Sequence, residues 1–239
     1  MAGGRASTTR PTSEGAARDA TSSGPRRSGL VQERSRRTRQ QLVDAAVQLW
    51  SERGFEKGVD ETTVEEIVQA AGVTKGTFYF HFAHKEDILL EVGWGTSEAL
   101  FKDVTKALAN DRPVDDVLDD LLVVLARRIT ATPRQAVART VAEFYRRPDQ
   151  GRNLAGEHFG FQRSFGVVFA HAQETGQLPA SIDAGSLGEM LSSLTMGAIH
   201  AWIGDPDADL ASALRFRAAL MLAGVRDVNV AGEHHVLSE

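Results

Sequence analysis

Apolar side chains recur every three or four residues along most of this 239-residue chain, a spacing that places them on one face of an α-helix. The first such stretch begins near Ser35, where Leu42, Ala46 and Leu49 share a face, and Gly54 predicts its end. No stretch shows the sustained alternation of apolar and polar residues that strands joined by hairpin turns require. The pattern therefore predicts an all-α fold.

Start and stop signals divide the chain into about nine helices. Capping residues, glycines and prolines mark the boundaries, and Phe55 to Glu61, around Gly58, is predicted to be a polar loop. The predicted helices lie at approximately 35–53, 64–71, 74–82, 85–110, 111–133, 135–147, 150–175, 183–203 and 207–224.

Two short helices in the amino-terminal third carry the most specific motif. Thr63 and Glu66 have the spacing of a capping box, in which each side chain accepts a hydrogen bond from the other residue's backbone N–H. Gly72 ends this helix, and Thr74 caps a second helix that runs to about Phe82. Two short helices joined by so brief a turn, after a basic first helix, indicate a helix-turn-helix motif that binds DNA.

The second motif helix separates its apolar residues from its polar ones. Phe78 and Phe82 lie four apart and are expected to face inward, which leaves lysine, tyrosine and hydroxyl side chains outside. Lysine can donate to guanine, threonine can contact a thymine methyl, and tyrosine or histidine can bond a phosphate oxygen. A glycine at position 76 lets the backbone approach the duplex closely. The residues predicted to contact DNA are Thr62, Thr63, Thr74, Lys75, Gly76, Thr77, Tyr79, His81 and Lys85.

The segment from Arg37 to Glu91 resembles the DNA-binding domain of the TetR/AcrR family of transcriptional regulators. The resemblance implies a homodimer whose motif helices enter successive major grooves of a palindromic operator, about 34–36 Å apart. It also implies a helical body that binds a small molecule and then releases the DNA, with repression as the usual mode. Glu56 to Glu61 departs from the family pattern by several extra residues, which are expected to bulge into solvent. The residues that carry the resemblance are Leu42, Ala45, Ala46, Leu49, Gly54, Phe55, Thr62, Thr63, Val64, Ile67, Ala71, Gly72, Val73, Lys75, Gly76, Thr77, Tyr79, Phe82, Lys85, Glu86 and Leu89.

Composition and the resemblance together divide the chain into four parts. We expect a disordered basic arm over residues 1–33, a helix-turn-helix domain over 34–84, an effector-binding and dimerisation domain over 85–228, and a flexible tail over 229–239. The net charge of −5 conceals an asymmetry, because the first 39 residues hold nine arginines against three acidic residues. This end of the chain is predicted either to contact DNA phosphates or a minor groove, or to be a basic tail with no partner. The arginines concerned are Arg26, Arg27, Arg34, Arg36, Arg37 and Arg39.

Apolar stripes on the last two helices predict a dimer surface. Paired with a twofold copy, they would form a four-helix interface. The alternative is that both stripes complete the core of the monomer. The stripe residues are Leu187, Leu191, Leu194, Ala198, Trp202, Leu214, Ala218 and Met221.

The helix predicted over 150–175 is apolar nearly all round, which is typical of a helix in the middle of a body. Ligand pockets are mostly apolar with a few polar groups, so this region predicts an apolar or aromatic effector with one or two polar groups. Ordinary core packing is the alternative for each phenylalanine. The predicted lining residues are Trp94, Phe144, Tyr145, His158, Phe161, Phe165, Phe169 and His171.

Gly93 and Gly95 interrupt the helix that leaves the motif. Each glycine in a helix interior costs ~1 kcal/mol relative to alanine, so the pair predicts a weak point about which bound ligand pivots the helix. A close helix crossing that requires small residues is the alternative.

Several function classes are excluded or disfavoured. The chain has no cysteine, which excludes disulfides, thiolate zinc sites and cysteine catalysis. No apolar run approaches the ~18 residues of a membrane span, and the first thirty residues lack a secretory apolar segment, so the cytoplasm is the expected location. His81, His84 and Asp87 have a spacing that could hold a metal, but no further ligand is evident, and neither metal nor cofactor is expected.

Two other classes of function are weighed against a ligand-responsive regulator. The sequence contains no nucleophile elbow, P-loop or dinucleotide fingerprint, so an enzyme is the less favoured alternative. The other is an architectural or adaptor protein that binds DNA on the same scaffold without a small ligand.

Overall fold

The computed structural model describes residues 24–110, 112–146 and 161–236, and the side chains of these ranges from 29 to 227. Within them the protein forms ten α-helices and no β-strand, which confirms the all-α fold. The helices are α1 (Gly24–Arg53), α2 (Phe55–Glu61), α3 (Val64–Ala71), α4 (Lys75–His81), α5 (Asp87–Ala107), α6 (Val114–Thr130), α7 (Arg134–Arg146), α8 (Gln162–Glu174), α9 (Ala184–Gly204) and α10 (Leu210–Val236).

Helix α2 occupies the segment that was predicted to be a polar loop bulging into solvent, and that prediction is wrong. Phe55 and Val59 lie four apart, share one face and are buried. Gly58 lies against α1 so closely that an added Cβ would come within 2.7 Å of the Trp50 carbonyl oxygen. The two apolar side chains and the glycine allow α2 to pack on α1, which accounts for the tenth helix.

Two helices are longer than predicted. Helix α1 begins at Gly24, so residues 24–33 of the predicted disordered arm are helical; Pro25 is acceptable in a first turn, and arginine and glutamine favour helix. Helix α10 passes Gly224 and continues through 229–236 of the predicted flexible tail. Val225 is buried, and Arg226 donates to both oxygens of Asp115 at 3.1 and 2.6 Å, so packing against α6 carries the helix past the glycine.

Helix α8 covers only the second half of the helix that was predicted over 150–175. Residues 147–160 lie outside the described residues, and so do 1–23, 111 and 237–239. The predicted pocket residue His158 is therefore outside the described part of the chain.

The chain forms two compact units, residues 1–39 and 40–239. The first, where it is described, is the amino-terminal half of α1. In the second, buried apolar side chains form two clusters: one joins the end of α1 to α2, α3, α4 and the start of α5, and the other joins the rest of α5 to α6, α8, α9 and α10. Helix α7 contributes Ala136 to the first cluster and Val141 to the second.

Helix α5 connects the two clusters without interruption. Ile88 and Leu89 belong to the first cluster, whereas Leu100 and Val104 belong to the second. A continuous helix of 21 residues thus joins the motif helices to the body.

Candidate nucleic-acid interface

Helix α3 begins with the predicted capping box. The Thr63 hydroxyl accepts from the Glu66 N–H at 3.2 Å, and the Glu66 carboxylate accepts from the Thr63 N–H at 2.7 Å. Arg53, at the end of α1, donates to the two Glu66 oxygens at 2.5 and 3.3 Å. The hydrogen bond from Arg53, followed by those from Thr63, lowers the pKa of Glu66 from 4.5 to about 2. An ionised Glu66 therefore ties the start of α3 to the end of α1.

The turn between α3 and α4 depends on Gly72. Its φ of 68° and ψ of 31° lie in the left-handed region, which glycine enters at little cost. In this conformation the Gly72 N–H donates to the Gln69 carbonyl at 3.2 Å and the Val73 N–H donates to the Val68 carbonyl at 3.0 Å. Gly72 therefore ends α3, as predicted, and sets the direction in which α4 leaves.

Helix α4 is held by its inner face. Phe78 is fully buried and Phe82 nearly so, and their ring centroids lie 5.7 Å apart, which confirms that both face inward. Thr74 caps the helix by accepting from the Thr77 N–H at 3.2 Å. The outer face is thereby fixed in orientation.

Most of the predicted DNA-contacting residues of α4 lie on this outer face. Thr74, Lys75, Gly76 and Tyr79 are exposed, whereas Thr77 and His81 are half-buried. One helix of seven residues thus presents hydroxyl, ammonium and phenol groups together.

Phe80 belongs to the same outer face and was missed by the sequence reasoning. Its side chain is 79% exposed, more than any other large apolar side chain among the described residues. Its position in the sequence could have revealed this exposure. Phe80 lies two residues from Phe78 and two from Phe82, so it is rotated by about 200° from each around the helix and faces away from the core. Phe80 adds an apolar surface of the kind that contacts thymine methyl groups.

Lys75 is paired with an acidic residue on the neighbouring helix. Its ammonium forms an ion pair with Glu65, in the first turn of α3, and both side chains are more than half exposed. To reach a base, Lys75 has to leave this carboxylate. Glu65 therefore places a negative charge beside the lysine that was predicted to contact guanine.

A groove of about 310 Å³ lies beside α4, and Thr63, Tyr79 and Lys85 are among the residues that line it. The Lys85 ammonium donates to the carbonyl oxygens of Asp60 and Thr62, both at 2.8 Å, and so ties the α2–α3 joint to the start of α5. The predicted DNA contact of Thr62 is wrong, because this residue is fully buried and its hydroxyl accepts from Arg53 at 3.0 Å.

Comparison with known proteins relates this arrangement of helices to a family of regulators. Residues 42–92, from the buried part of α1 to the start of α5, match the family model of bacterial regulatory proteins, tetR family. The matched segment is a TetR-family DNA-binding domain. The protein is accordingly a DNA-binding transcriptional regulator, as the resemblance implied.

Similarity to TetR-family proteins extends beyond the motif. The transcriptional regulator AcrR of Shigella flexneri is 27% identical over 203 residues, which cover 80% of this chain and 91% of that protein. The regulator TcmR of Streptomyces glaucescens is 36% identical over 107 residues, 45% of this chain and 46% of that one. The crystal structure of the TetR-family repressor FadR of Thermus thermophilus, in complex with lauroyl-CoA, superposes with a TM-score of 0.60 at 27% identity and covers 77% of this chain and 93% of that one.

The body of this protein contains a small cavity of about 60 Å³ between α5 and the helices that follow. Three threonines, Thr96, Thr132 and Thr140, supply hydroxyl groups, and the rest of the lining is apolar apart from the backbone. The lining residues are Val92, Gly93, Thr96, Ile129, Thr132, Val137, Thr140, Val141, Phe161, Met196 and Ile199.

Phe161 is the predicted pocket residue that borders this cavity. Phe165 and Phe169 are fully buried in the core, which is the alternative stated for them. Tyr145 is 56% exposed and stacks on His200 with ring centroids 5.6 Å apart, and it does not border this cavity. The other predicted lining residues that the structure describes, Trp94, Phe144 and His171, do not border this cavity.

The predicted dimer stripes lie inside the single chain, so their assignment to a dimer surface is wrong. All of these residues are buried except Leu194, which is partly buried against the same core, because α9 and α10 pack on α8 and α6 through these faces. The buried stripe residues are Leu187, Leu191, Ala198, Trp202, Leu214, Ala218 and Met221. The exposed large apolar side chains of α9 and α10 are instead Met190, Phe216 and Leu220.

The described part of the chain contains no group of three or more potential ligands arranged to hold a metal ion. Of the residues considered for one, Asp87 accepts from the His84 N–H at 2.8 Å at the start of α5. No helix within the described ranges is both long and apolar enough to cross a bilayer.

Proposed function

We propose that this regulator is a cytoplasmic repressor that binds a palindromic operator as a homodimer and releases it when an apolar small molecule enters the body. The observation that carries the proposal is the outer face of α4, which is polar and aromatic, exposed, and held rigidly by the buried Phe78 and Phe82. This is the arrangement that a recognition helix needs in a major groove.

Each exposed group on this face has a matching partner on DNA. Lys75 can donate to guanine once it leaves Glu65, and Phe80 can pack on a thymine methyl. Thr63 and Tyr79 border one groove, where a phosphate would accept from the phenol O–H. We assign no role in phosphate binding to Thr62. Contacts of the arginines near the amino terminus with DNA stay a prediction.

The proposed dimer uses the exposed apolar side chains of α9 and α10. Phe216 and Leu220 lie four apart on α10 and are 69% and 64% exposed, and Met190 of α9 is 51% exposed. Two copies that pair these faces bury apolar area on both sides of a twofold axis, as an isologous interface requires. This pairing would present two α4 helices to half-sites about one helical turn apart.

The proposed effector is an apolar chain or ring with one or two groups that can hydrogen-bond to threonine hydroxyls. The cavity is far smaller than the ~300–1,000 Å³ of a typical ligand site, so the effector has to move the helices that line it. The related FadR of Thermus thermophilus binds lauroyl-CoA, which carries an apolar chain of this kind. We propose no catalytic activity and no cofactor, in keeping with relatives that are regulators.

Selection of bound sequences from random duplex DNA tests the operator proposal. We expect a palindrome whose half-site centres lie about 10 base pairs apart. Lys75→Ala with Phe80→Ala should abolish the enrichment, whereas Lys102→Ala, which removes an exposed paired lysine of α5, should leave it intact. Failure of the unmodified protein to enrich any sequence at modest ionic strength would reject the proposal.

Thermal shift with a panel of fatty acids and aromatic acids tests the effector proposal. A compound that binds the folded body raises its melting temperature and should also release the selected duplex. A protein that binds DNA but responds to no such compound would instead fit the architectural or adaptor alternative.

A further inference from the structure

Helix α2 is an insertion relative to the family pattern, yet it is built into the core of the DNA-binding domain. Phe55 is 5% exposed and Val59 is fully buried, and both belong to the cluster that contains Phe78 of α4. Gly58 allows the backbones of α1 and α2 to come into contact. Displacement of α2 therefore disturbs the packing that holds α4.

The carboxyl end of α2 is also tied to the start of α3. Lys85 bonds the carbonyls of Asp60 and Thr62 at 2.8 Å, and Arg53 bonds the buried Thr62 hydroxyl at 3.0 Å. Thr63, the next residue, caps α3. A shift of Asp60 is thus passed directly to the amino end of α3.

Helix α7 contacts α2 from the body. Ala136 is 4% exposed and belongs to the apolar cluster of the DNA-binding domain, and the Arg139 guanidinium forms an ion pair with the Asp60 carboxylate. The ion pair therefore joins α7 directly to α2, and Ala136 packs in the same apolar cluster as the buried side chains of α2.

The neighbouring residues of α7 line the cavity of the body. Val137, Thr140 and Val141 border it, and Ala136 and Arg139 occupy positions between and beside them on the same helix. Because packed interiors do not deform continuously, a ligand larger than the present space has to displace a lining helix as a unit. Displacement of α7, which has 13 residues against 21 in α5 and in α9, changes its contact with α2 at the same time.

We propose that α2 is a second link between the effector cavity and the DNA-binding helices, which acts through α7 and the Asp60–Arg139 ion pair in addition to α5. The inference rests on the proposed function, because it concerns how occupancy of the cavity alters operator binding. By linkage, the coupling runs in both directions, so binding of DNA alters the local stability of α7.

Hydrogen exchange of the α7 amides, with and without the selected duplex, tests this link without an effector. In the unmodified protein we expect the duplex to change exchange of residues 134–146 by about fivefold or more. Asp60→Ala with Arg139→Ala should reduce this change by about twofold to fivefold, the range expected for an exposed ion pair, while the duplex still binds. The reversed pair, Asp60→Arg with Arg139→Asp, should restore it.

The control is Asp119→Ala, which removes an ion pair with Arg215 between α6 and α10 and should leave the exchange response unchanged. Binding of the duplex with no exchange response in α7, or with the same response after removal of both charges, overturns the link and leaves the proposed function standing. Absence of any duplex binding overturns the proposed function and the link together.

Discussion

At the level of single residues, the outer face of α4 combines groups that serve the fold with groups that serve only DNA binding. Thr74 caps the helix and is also exposed, whereas Gly76 makes no contact that the fold requires. Substitutions can therefore separate stability from DNA affinity at adjacent positions.

Gly76→Ala should stabilise the protein and weaken DNA binding. An added Cβ meets no described atom nearer than the Thr74 hydroxyl at 3.8 Å, and in this first turn of α4 alanine gains at most the ~0.5–1 kcal/mol by which it exceeds glycine in a helix interior. Against a closely packed duplex the same methyl should cost about 1–3 kcal/mol of binding free energy. Denaturant unfolding and titration of a labelled duplex measure the two effects, and equal DNA affinity would contradict close backbone approach.

Glu65→Gln should make DNA binding less selective. The substitution removes the ion-pair partner of Lys75 and a negative charge from the DNA-facing side. Affinity for an unrelated duplex should rise several-fold, and the slope of log affinity against log salt should steepen by about 0.9 if Lys75 then meets one phosphate. Glu98→Gln, which removes the partner of Lys102 on α5, should leave both unchanged. An unaltered slope in the Glu65 variant would exclude a role for this pair.

Glu66→Gln should lower stability in a way that depends on pH. Because the folded pKa of Glu66, about 2, lies below its ordinary 4.5, the ionised carboxylate stabilises the folded state above pH 4.5. This contribution is lost as the pH falls from 4.5 toward 2. The difference in free energy of unfolding between the variant and the unmodified protein should therefore be constant near neutrality and shrink over that interval. A difference that does not vary with pH would show that Glu66 acts through packing alone.

At the level of elements, α5 is the direct connection between the motif and the body, and it carries the two glycines predicted to form a weak point. The helix is continuous through both of them. Gly93 borders the cavity, whereas an added Cβ at Gly95 meets no described atom within 4 Å. The alternative of a close helix crossing is therefore not supported at Gly95.

Gly95→Ala should stabilise the protein by ~0.5–1 kcal/mol, preserve DNA affinity and reduce release by effector. The reason is that alanine stiffens the helix without altering the cavity. Release of the selected duplex by a compound from the thermal-shift screen measures the effect. Unchanged release would reject a hinge at this position and would leave the α7–α2 contact as the route of coupling.

At the level of the whole molecule, regulation by a palindromic site requires a dimer, and the exposed apolar face of α9 and α10 is the proposed interface. Phe216→Glu with Leu220→Glu places two charges on this face without touching the core. We expect a monomer in sedimentation velocity and a loss of operator affinity of about 10²-fold or more. The reason is that each monomer then binds its half-site independently, without a partner that holds it near the second half-site. Val167→Glu, on the exposed side of α8, is the control and should remain dimeric. A dimeric double variant would place the interface elsewhere.

Local features of the DNA-binding motif could be predicted because each depends on residues within a few positions. The capping box of Thr63 and Glu66, the left-handed Gly72 and the inward Phe78 and Phe82 follow from hydrogen bonds and periodicity inside one or two helical turns. The exposure of Phe80 could have been predicted from the same periodicity, but the sequence reasoning did not include it.

The sequence by itself determined the all-α class, the motif helices and the family, because capping, glycine conformation and helical periodicity are encoded locally. Only the tertiary structure decided that α2 is a helix, that α10 continues past Gly224, that Thr62 is buried and that the apolar stripes of α9 and α10 face inward. In each of these cases the outcome depends on what a side chain meets outside its own helix. An apolar stripe predicts that a helix face is buried, but it does not predict whether α8 or a second copy of the chain covers that face.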